Sequence, residues 1–394
     1  MKSFSFVFFL SFLCSLLRAQ SFDMAISKAM QNNSKIKALQ IQIEKLEDEA
    51  KIARKWDNPN ITLGYNALYP NHPAYRDDAM QSISISLAQK FDLFAKKPIE
   101  GQKISLQKQI KILELKAFQK SLIKEIKIRM IRSDQDKKRI EILKSTLNNI
   151  SLFKRQIDSN SSDFLLDEIY KIEILETRIR LKLNQFLQNQ KEQVIEFNEI
   201  TFQENQEIDF NPTFQKFWGK DYYKSSYELL IQKYKEQIED ENIALAKRSF
   251  WSDPTFSLGY FHRKNHQDFL SFGVSFSLPI YGKEVLILQN AHKQSQITKN
   301  TTLEIENKIK SKIKKLQNTL EKKKDELVLI ETKLLPNAKK LLSLYQKNIS
   351  SSKSAMGAYH QALNDLLEAE LLRIDVRGSI WIALCELESI GEEK

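Results

Sequence analysis

The stretch Trp56-Asp57-Asn58-Pro59-Asn60-Ile61-Thr62-Leu63-Gly64-Tyr65 occurs a second time, as Trp251-Ser252-Asp253-Pro254-Thr255-Phe256-Ser257-Leu258-Gly259-Tyr260. Trp, Pro, Leu, Gly and Tyr are identical and in register, and Ile/Phe and Thr/Ser match in type. A shorter pair follows the two copies, Ser84-Ile85-Ser86-Leu87 and Ser275-Phe276-Ser277-Leu278. A chain that repeats itself at about half its length is predicted to contain two copies of one structural unit.

Both copies alternate apolar and small polar residues, which predicts β-strands with two unlike faces. The predicted strands cover residues about 59–69 and 80–91 in the first half, and about 254–264 and 269–281 in the second. Such strands suit a barrel with lipid outside and water inside. A soluble sheet alternates in the same way, and this alternative stays open from the pattern alone. The predicted water-facing side chains are Ser84, Ser86, Ser275 and Ser277.

Long helices follow each strand pair, at residues about 96–158 and about 284–348. Their apolar residues recur every three or four positions, which is the seam of a coiled coil. A Ser-rich turn ends each helix, and shorter helices at about 162–200 and 355–391 return from it, so we expect two coiled-coil hairpins. The seams are Leu106, Ile110, Leu113 and Ala117; Ile140, Leu143, Leu147 and Ile150; and Ile313, Leu316, Leu320, Leu327 and Leu334.

The first 19 residues have the features of a secretory signal, with Lys2, an apolar run and Ala19 before the expected cleavage. Their removal would lower the formal net charge from +11 to +9, because they carry Lys2 and Arg18 and no acidic residue. On an exported chain this charge indicates solvated helix faces rather than nucleic-acid binding. Cys385 would be the one remaining cysteine, so no internal disulfide is expected.

Four strands per chain are too few to close a barrel, since the smallest barrels have about eight strands. No stretch beyond the signal segment reaches the roughly 18 apolar residues of a membrane-spanning helix. The sequence therefore predicts that several chains contribute strands to one barrel.

These features resemble the TolC-type outer-membrane efflux factors, nearest the Cus- and Czc-type branch, over essentially the whole mature chain. The duplicated Pro-x-[Ile/Phe]-[Thr/Ser]-Leu-Gly-Tyr phrase carries the resemblance together with three further motifs. These are the strand exits Gln89-Lys90-Phe91-Asp92-Leu93-Phe94-Ala95-Lys96 and Pro279-Ile280-Tyr281-Gly282-Lys283, the phrase Leu335-Pro336-Asn337-Ala338 followed by Tyr345, and the helix restart Leu366-Leu367-Glu368-Ala369.

The resemblance implies an α+β membrane protein that forms a homotrimer. Four strands from each chain would build a twelve-stranded outer-membrane β-barrel, continued by a long periplasmic α-helical coiled-coil barrel. The expected divisions are a signal peptide at 1–19, a first repeat at 20–200, an equatorial connecting segment at 201–220 and a second repeat at 221–394.

The resemblance also implies a function, the outer-membrane exit duct of a tripartite RND-type efflux system that exports metal cations or drugs. The implied partners are outer-membrane lipid, a periplasmic adaptor (membrane fusion) protein and an inner-membrane RND pump. No cofactor, metal site, nucleic acid or catalysis is expected. The alternative, a surface or structural coiled-coil protein without a transport role, explains the helices but not the paired strands.

Several side chains have both a functional and a structural interpretation. Asp163 and Asp167 would line a cation-selective constriction or simply favour a helix N-terminus. His262 and His266 fall between two strands, so a solvated loop is expected there rather than a metal site. The residues predicted to dock the adaptor at the hairpin tips are Ser159, Ser161, Ser162, Ser351 and Ser354.

Two further features stay open at this level. Pro336 removes a helical hydrogen bond, which either bends the helix for a purpose or is a tolerated defect. Trp56 and Trp251 suit an interfacial aromatic belt, and packing beneath the strands explains them equally well. The sequence contains no phosphate loop, nucleophile motif or catalytic carboxylate pair with supporting context.

Overall fold

A computed structural model of the chain describes residues 24–70, 80–158, 166–201, 222–347 and 353–392. These residues are mostly helical and include one four-stranded antiparallel sheet, which confirms this part of the expected fold class. The chain divides into two compact units. The helical unit comprises Met1–Ile36, Lys116–Ser226 and Asn307–Lys394, and the sheet unit comprises Lys37–Leu115 and Tyr227–Glu306.

The elements follow one another in the order that the two repeats predict, helix, two strands, long helix and returning helix. No helix in the described ranges has the length and apolar content needed to cross a membrane. After a helical segment at 24–32, the elements are α1 Ser34–Arg54, β1 Asn60–Asn66, β2 Ser82–Lys90, α2 Lys96–Asp158, α3 Leu166–Thr201, α4 Tyr227–Arg248, β3 Thr255–His262, β4 Phe269–Ser275, α5 Lys283–Leu329, a π-helical segment Ile330–Leu334, α6 Leu335–Lys347 and α7 Lys353–Glu388.

The sheet unit holds the four strands in the order β1-β2-β3-β4, each antiparallel to its neighbour. The register aligns like residues with like across the sheet. Leu63 lies opposite Ile85, which lies opposite Tyr260. Because side chains alternate along each strand, one face is mostly apolar and the other mostly small and polar.

The duplicated glycines occupy equivalent places on the polar face. A Cβ on Gly64 would come within 2.8 Å of Ser84 Oγ, and a Cβ on Gly259 within 2.8 Å of Phe261 Cε2. Neither glycine has a positive φ, so close approach of a neighbouring side chain explains both.

The fourth strand is shorter than its alternating pattern predicts. It ends at Ser275, so Ser277 lies beyond it, and the Ser277 amide donates to Ser252 Oγ at 3.0 Å instead of to a strand. The partner strand begins at Thr255, opposite Ser275. Pro254 precedes Thr255, and its carbonyl accepts a hydrogen bond from the Phe91 amide at 3.0 Å, on the side of β2 and not of β4.

The helical unit packs α2, α3, α6 and α7 around one apolar core. Leu143 and Ile150 of α2 meet Ile179 of α3 and Leu363 of α7, and all four side chains are buried. Leu143 and Ile150 belong to the predicted seam of the first long helix. The core also contains Phe153, Ile172, Leu175, Tyr359 and Leu367.

The second long helix departs from its predicted seam beside Pro336. Ile313 and Leu320 are buried as the seven-residue spacing predicts, but Leu334 is 44% exposed and Leu335 is 5% exposed. The π-helical segment Ile330–Leu334 contains one extra residue per turn and moves the seam by one position. The prediction that Leu334 belongs to the seam is therefore wrong.

Several predicted features fall outside the described residues. These are most of the connecting segment, at 202–220, and the signal segment. The tip residues Ser159, Ser161, Ser162 and Ser351 and the acid Asp163 also lie there. Ser354 belongs to α7.

Candidate functional site

The small polar face of the sheet is the candidate functional surface. Thr62, Ser86, Gly259 and Ser271 form one row across all four strands. Ser84 belongs to the neighbouring row, and Ser275, opposite Thr255, ends the same face. The structure therefore brings Ser84, Ser86 and Ser275 onto one surface and leaves Ser277 beyond the strand.

Hydrogen bonds fix the small side chains of this polar face to one another and to the backbone. Asn66 Nδ2 donates to Ser82 Oγ at 3.0 Å and to Ser84 Oγ at 3.3 Å. Ser257 Oγ donates to the Gly273 carbonyl at 3.3 Å. Hydroxyls bound in this way lie close to the sheet, and their remaining lone pairs can accept hydrogen bonds from water. This part of the face is therefore hydrophilic and carries only small side chains.

The described residues of the sheet unit leave the opposite, apolar face uncovered. Leu63 is 77% exposed, Ile85 is 50% exposed and Phe272 is 69% exposed. Contiguous exposed apolar surface on this scale marks a contact with lipid or with another protein. The remaining exposed members of the face are Ile61, Tyr65, Ile83, Leu87, Leu258, Tyr260, Leu270 and Val274.

Aromatic contacts and ion pairs fix the end of the sheet where the helices begin. The Trp56 ring meets Phe91 edge to face at 5.4 Å, and the Trp251 ring stacks on Phe94 at 5.7 Å. Lys96 Nζ lies 3.1 Å from Asp253 Oδ2 in a largely buried pair. Both duplicated tryptophans remain mostly exposed, so packing beneath the strands and a place in an aromatic belt are both compatible with the structure.

The turn between β3 and β4 is organised by one carboxylate. Asp268 accepts hydrogen bonds from the Tyr260 hydroxyl and from the Arg263 backbone amide, at 2.9 Å in the latter case. His262 Nδ1 lies 3.1 Å from Asp268 Oδ1. These three contacts, led by Tyr260, lower the pKa of the Asp268 carboxyl to about 2. His262 is thus engaged with Asp268, and no group of three or more potential metal ligands occurs among the described residues.

We expect this turn to lose its order only in strong acid. The folded pKa of Asp268, about 2, lies below its ordinary value of 3.8, so the carboxylate stabilises the turn above roughly pH 4. That contribution disappears as the pH falls through 2. Carbon-13 NMR of aspartate-labelled protein should give a carboxyl midpoint near 2, and His262→Ala should raise it. A midpoint near 3.8 in the unmodified chain would contradict the network.

The helical unit contains an ionic cluster of its own, around one buried carboxylate. Asp136 of α2 is 2% exposed and accepts hydrogen bonds from Arg139 and from Gln193 Nε2 of α3, at 2.7 Å in the latter case. Arg139 also donates to Asp375 of α7 and lies over the Phe186 ring. One guanidinium therefore joins three helices.

The predicted pore-lining acid Asp167 lies near the start of α3 and is exposed. Its carboxylate is 3.7 Å from Lys171 Nζ, one helical turn later. This contact suits a solvated first turn as well as a pore wall, so the pore-lining role stays a prediction.

Solved structures with this architecture are outer-membrane channels. The outer membrane protein VceC from Vibrio cholerae matches with a TM-score of 0.78 and 12% identity, over 95% of this chain and 97% of that one. The chain has the fold of a TolC-type outer-membrane channel. The TolC-type resemblance predicted from the sequence is thus confirmed at the level of fold.

Two further TolC-type channels match at similar levels. CusC, described as forming a transmembrane channel, has a TM-score of 0.77 and 12% identity, over 94% of this chain and 92% of that one. The Campylobacter jejuni CmeC outer membrane channel has a TM-score of 0.74 and 12% identity, over 94% and 85%. No protein-family model matches the chain, and no curated protein matches it. These TolC-type neighbours are channels and not enzymes.

Sequence reasoning missed one group on the polar face. Phe261 and Phe269 lie opposite each other there, in the row of Gly64 and Ser84, and their rings stack at 4.6 Å. Strict counting of alternate positions from Gly259 would have placed Phe261 on this face.

Proposed function

We propose that this chain is the outer-membrane exit duct of a tripartite efflux system and works as a homotrimer. The observation that carries the proposal is the two-faced sheet, with a bare apolar face and a small polar face. In a barrel, the first face would meet lipid and the second would line a water-filled passage.

The open edges of the sheet support assembly with other copies. β1 and β4 each pair with one neighbour, so each has one side whose backbone groups lack a strand partner within this sheet. Such edges favour pairing with another chain. Three copies would supply twelve strands, enough for a barrel with a water-filled lumen, and would leave no edge.

Exposed apolar residues on α3 support a helical barrel formed by several copies. Ile174, Leu181 and Ile195 are exposed and are separated by seven and fourteen residues, so they lie along one stripe of the helix. In the trimer this stripe would pack against a helix of a neighbouring copy, within the periplasm.

The proposed partners are a periplasmic adaptor and an inner-membrane RND pump, which supplies the energy. The duct itself would neither bind cargo tightly nor catalyse a reaction, since a strong site would trap what has to leave. Cargo selection between metal cations and drugs would then occur mainly in the pump.

Fractionation and reconstitution test this function. The protein should appear in outer-membrane fractions, migrate on a denaturing gel as a trimer that heat converts to monomer, and conduct ions in a planar lipid bilayer. A wholly soluble protein that gives no conductance would instead favour the surface or structural coiled-coil alternative.

The hairpin tips are proposed to couple the duct to its adaptor. Replacing Ser161 and Ser162, or Ser351 and Ser354, with glutamate should abolish efflux while trimers still form, because bulky charges block close packing of helix ends. If these serines only cap helices, each loss costs about 1 kcal/mol and a stable trimer keeps its efflux. Resistance of cells to the cargo, measured beside trimer yield, separates the two outcomes.

A further inference from the structure

The loop end of the polar face differs from the rest of it. Nearer the helices, small residues such as Thr62, Ser86, Gly259 and Ser271 predominate in the rows across the polar face, and Lys90 stands in its last row. At the loop end, the row of Gly64 and Ser84 continues into Phe261 and Phe269. Two large aromatic rings therefore stand on a face that is otherwise low and hydrophilic.

The two rings have a defined geometry. Phe261 and Phe269 are directly opposed across β3 and β4, with ring centroids 4.6 Å apart and ring planes 3° from parallel. The Phe261 ring extends back over Gly259, where a Cβ would come within 2.8 Å of Phe261 Cε2. A side chain at position 259 would displace this ring, so the duplicated glycine has a specific role in the second repeat.

The adjoining turn separates its charges between the two faces. The Asp268 carboxylate bonds to Tyr260 and His262, which belong to the rows of the apolar face. The Arg263 guanidinium lies over the Phe269 ring at 5.1 Å, on the polar face, and its Nε donates to the Gln267 carbonyl at 2.8 Å. The anion is thereby fixed on one side of the sheet and the cation on the other.

We propose that Phe261, Phe269 and Arg263 form an aromatic–arginine collar at the outer mouth of the duct, which contacts neutral or anionic aromatic organic cargo and disfavours hydrated metal cations. This inference rests on the proposed function, because only a closed barrel turns the polar face into a lumen. In a trimer, three collars would surround the exit.

The chemistry of the collar supports this choice of cargo. A fixed guanidinium raises the electrostatic potential of the mouth, which opposes a hydrated cation and favours an anion. Aromatic rings offer apolar surface and edge or face contacts to an organic ring, whereas an ion that keeps its water gains nothing from them.

Ion selectivity tests the role of Arg263. Full-length protein in planar bilayers, under a potassium chloride gradient, should show a reversal potential that favours chloride more than in Arg263→Gln, with the permeability ratio falling by about twofold or more. Lys264→Gln is the matched control. It removes the same charge one residue later, from a side chain that lies beside Tyr65, Gln81, Ser82, Ile83 and His262, most of them on the apolar face, and should change the ratio less.

Current block tests the phenylalanine pair. Naphthoate should block the current at lower concentration than acetate, which carries the same charge without a ring. Phe269→Ala and the gentler Phe269→Leu should weaken naphthoate block by between about twofold and tenfold, the range that aromatic contacts supply. Leu270→Ala, the adjacent residue on the apolar face, should not.

Each result bears on one idea only. Absence of any conductance would refute the proposed duct itself. A conducting trimer in which Arg263→Gln and Lys264→Gln shift the ratio equally, or in which Phe269→Leu blocks like the unmodified chain, would overturn the collar and leave the duct intact. If Phe269→Leu lowers trimer yield but leaves naphthoate block unchanged in the remaining channels, the phenylalanine pair only stabilises the β3–β4 hairpin, and the collar is refuted.

Discussion

Ile85→Arg is expected to abolish recovery of trimers from membranes, whereas Ser86→Arg leaves trimers intact and lowers their conductance. The two residues are adjacent in β2 but lie on opposite faces, with Ile85 in the row of Leu63 and Tyr260 and Ser86 in the row of Thr62 and Gly259. A lipid-facing arginine at the middle of the bilayer costs about 2–4 kcal/mol per chain, and a trimer incurs that cost three times.

Trimer yield from outer-membrane fractions, measured on unheated gels, checks this expectation. Leu258→Arg and Ser257→Arg repeat the comparison on β3, where the same alternation holds. Equal losses from the members of each pair would show that the two faces do not meet different environments, and the barrel proposal would fail with them.

Asp136→Ala is expected to destabilise the helical unit by about 2 kcal/mol, because it removes a buried carboxylate that accepts a charge-assisted hydrogen bond from Arg139. It also leaves the Gln193 amide, 2.7 Å from the lost carboxylate oxygen, without that acceptor. Asp134→Ala is the matched control, since Asp134 pairs with Lys138 at the surface and its loss should cost about 0.5 kcal/mol or less.

Thermal unfolding of the full chain in detergent, followed by the helical circular dichroism signal, checks the comparison. Arg139→Met added to Asp136→Ala should cost little more, because the remaining ion pair of Arg139 is with the exposed Asp375. Equal shifts in unfolding temperature for Asp136→Ala and Asp134→Ala would mean that the cluster contributes nothing beyond a surface pair.

Alternation along the strands predicted the two faces of the sheet, because a period of two residues has a direct geometric meaning. Strand ends were less predictable. Ser277 repeats the pattern of Ser86, yet its amide donates to Ser252 Oγ and not to a neighbouring strand. The end of a strand depends on its neighbour, which lies elsewhere in the sequence.

The aromatic pair and the shifted seam are two other features that the sequence pattern did not predict. Phe261 and Phe269 break the small-residue rule of their face, and only the pairing register shows that they meet. Leu334 and Leu335 are chemically identical neighbours, so nothing in their side chains indicates which one is buried. The backbone geometry beside Pro336 decides between them.

The π-helical segment Ile330–Leu334 has a consequence for how the length of this helix can vary. In a heptad helix, loss or gain of one residue rotates every later side chain by about 100°, and such changes are normally excluded. Here the helix already accommodates one residue more than the frame set by Ile313 and Leu320, and the frame after it begins at Leu335. A variant shorter by one residue in this segment could return to a continuous α-helix with Leu335 still against α7. Relatives whose helix differs in length by one residue are therefore expected to differ at this turn. A sequence alignment that places the gap elsewhere would misalign the residues between this turn and the end of α6.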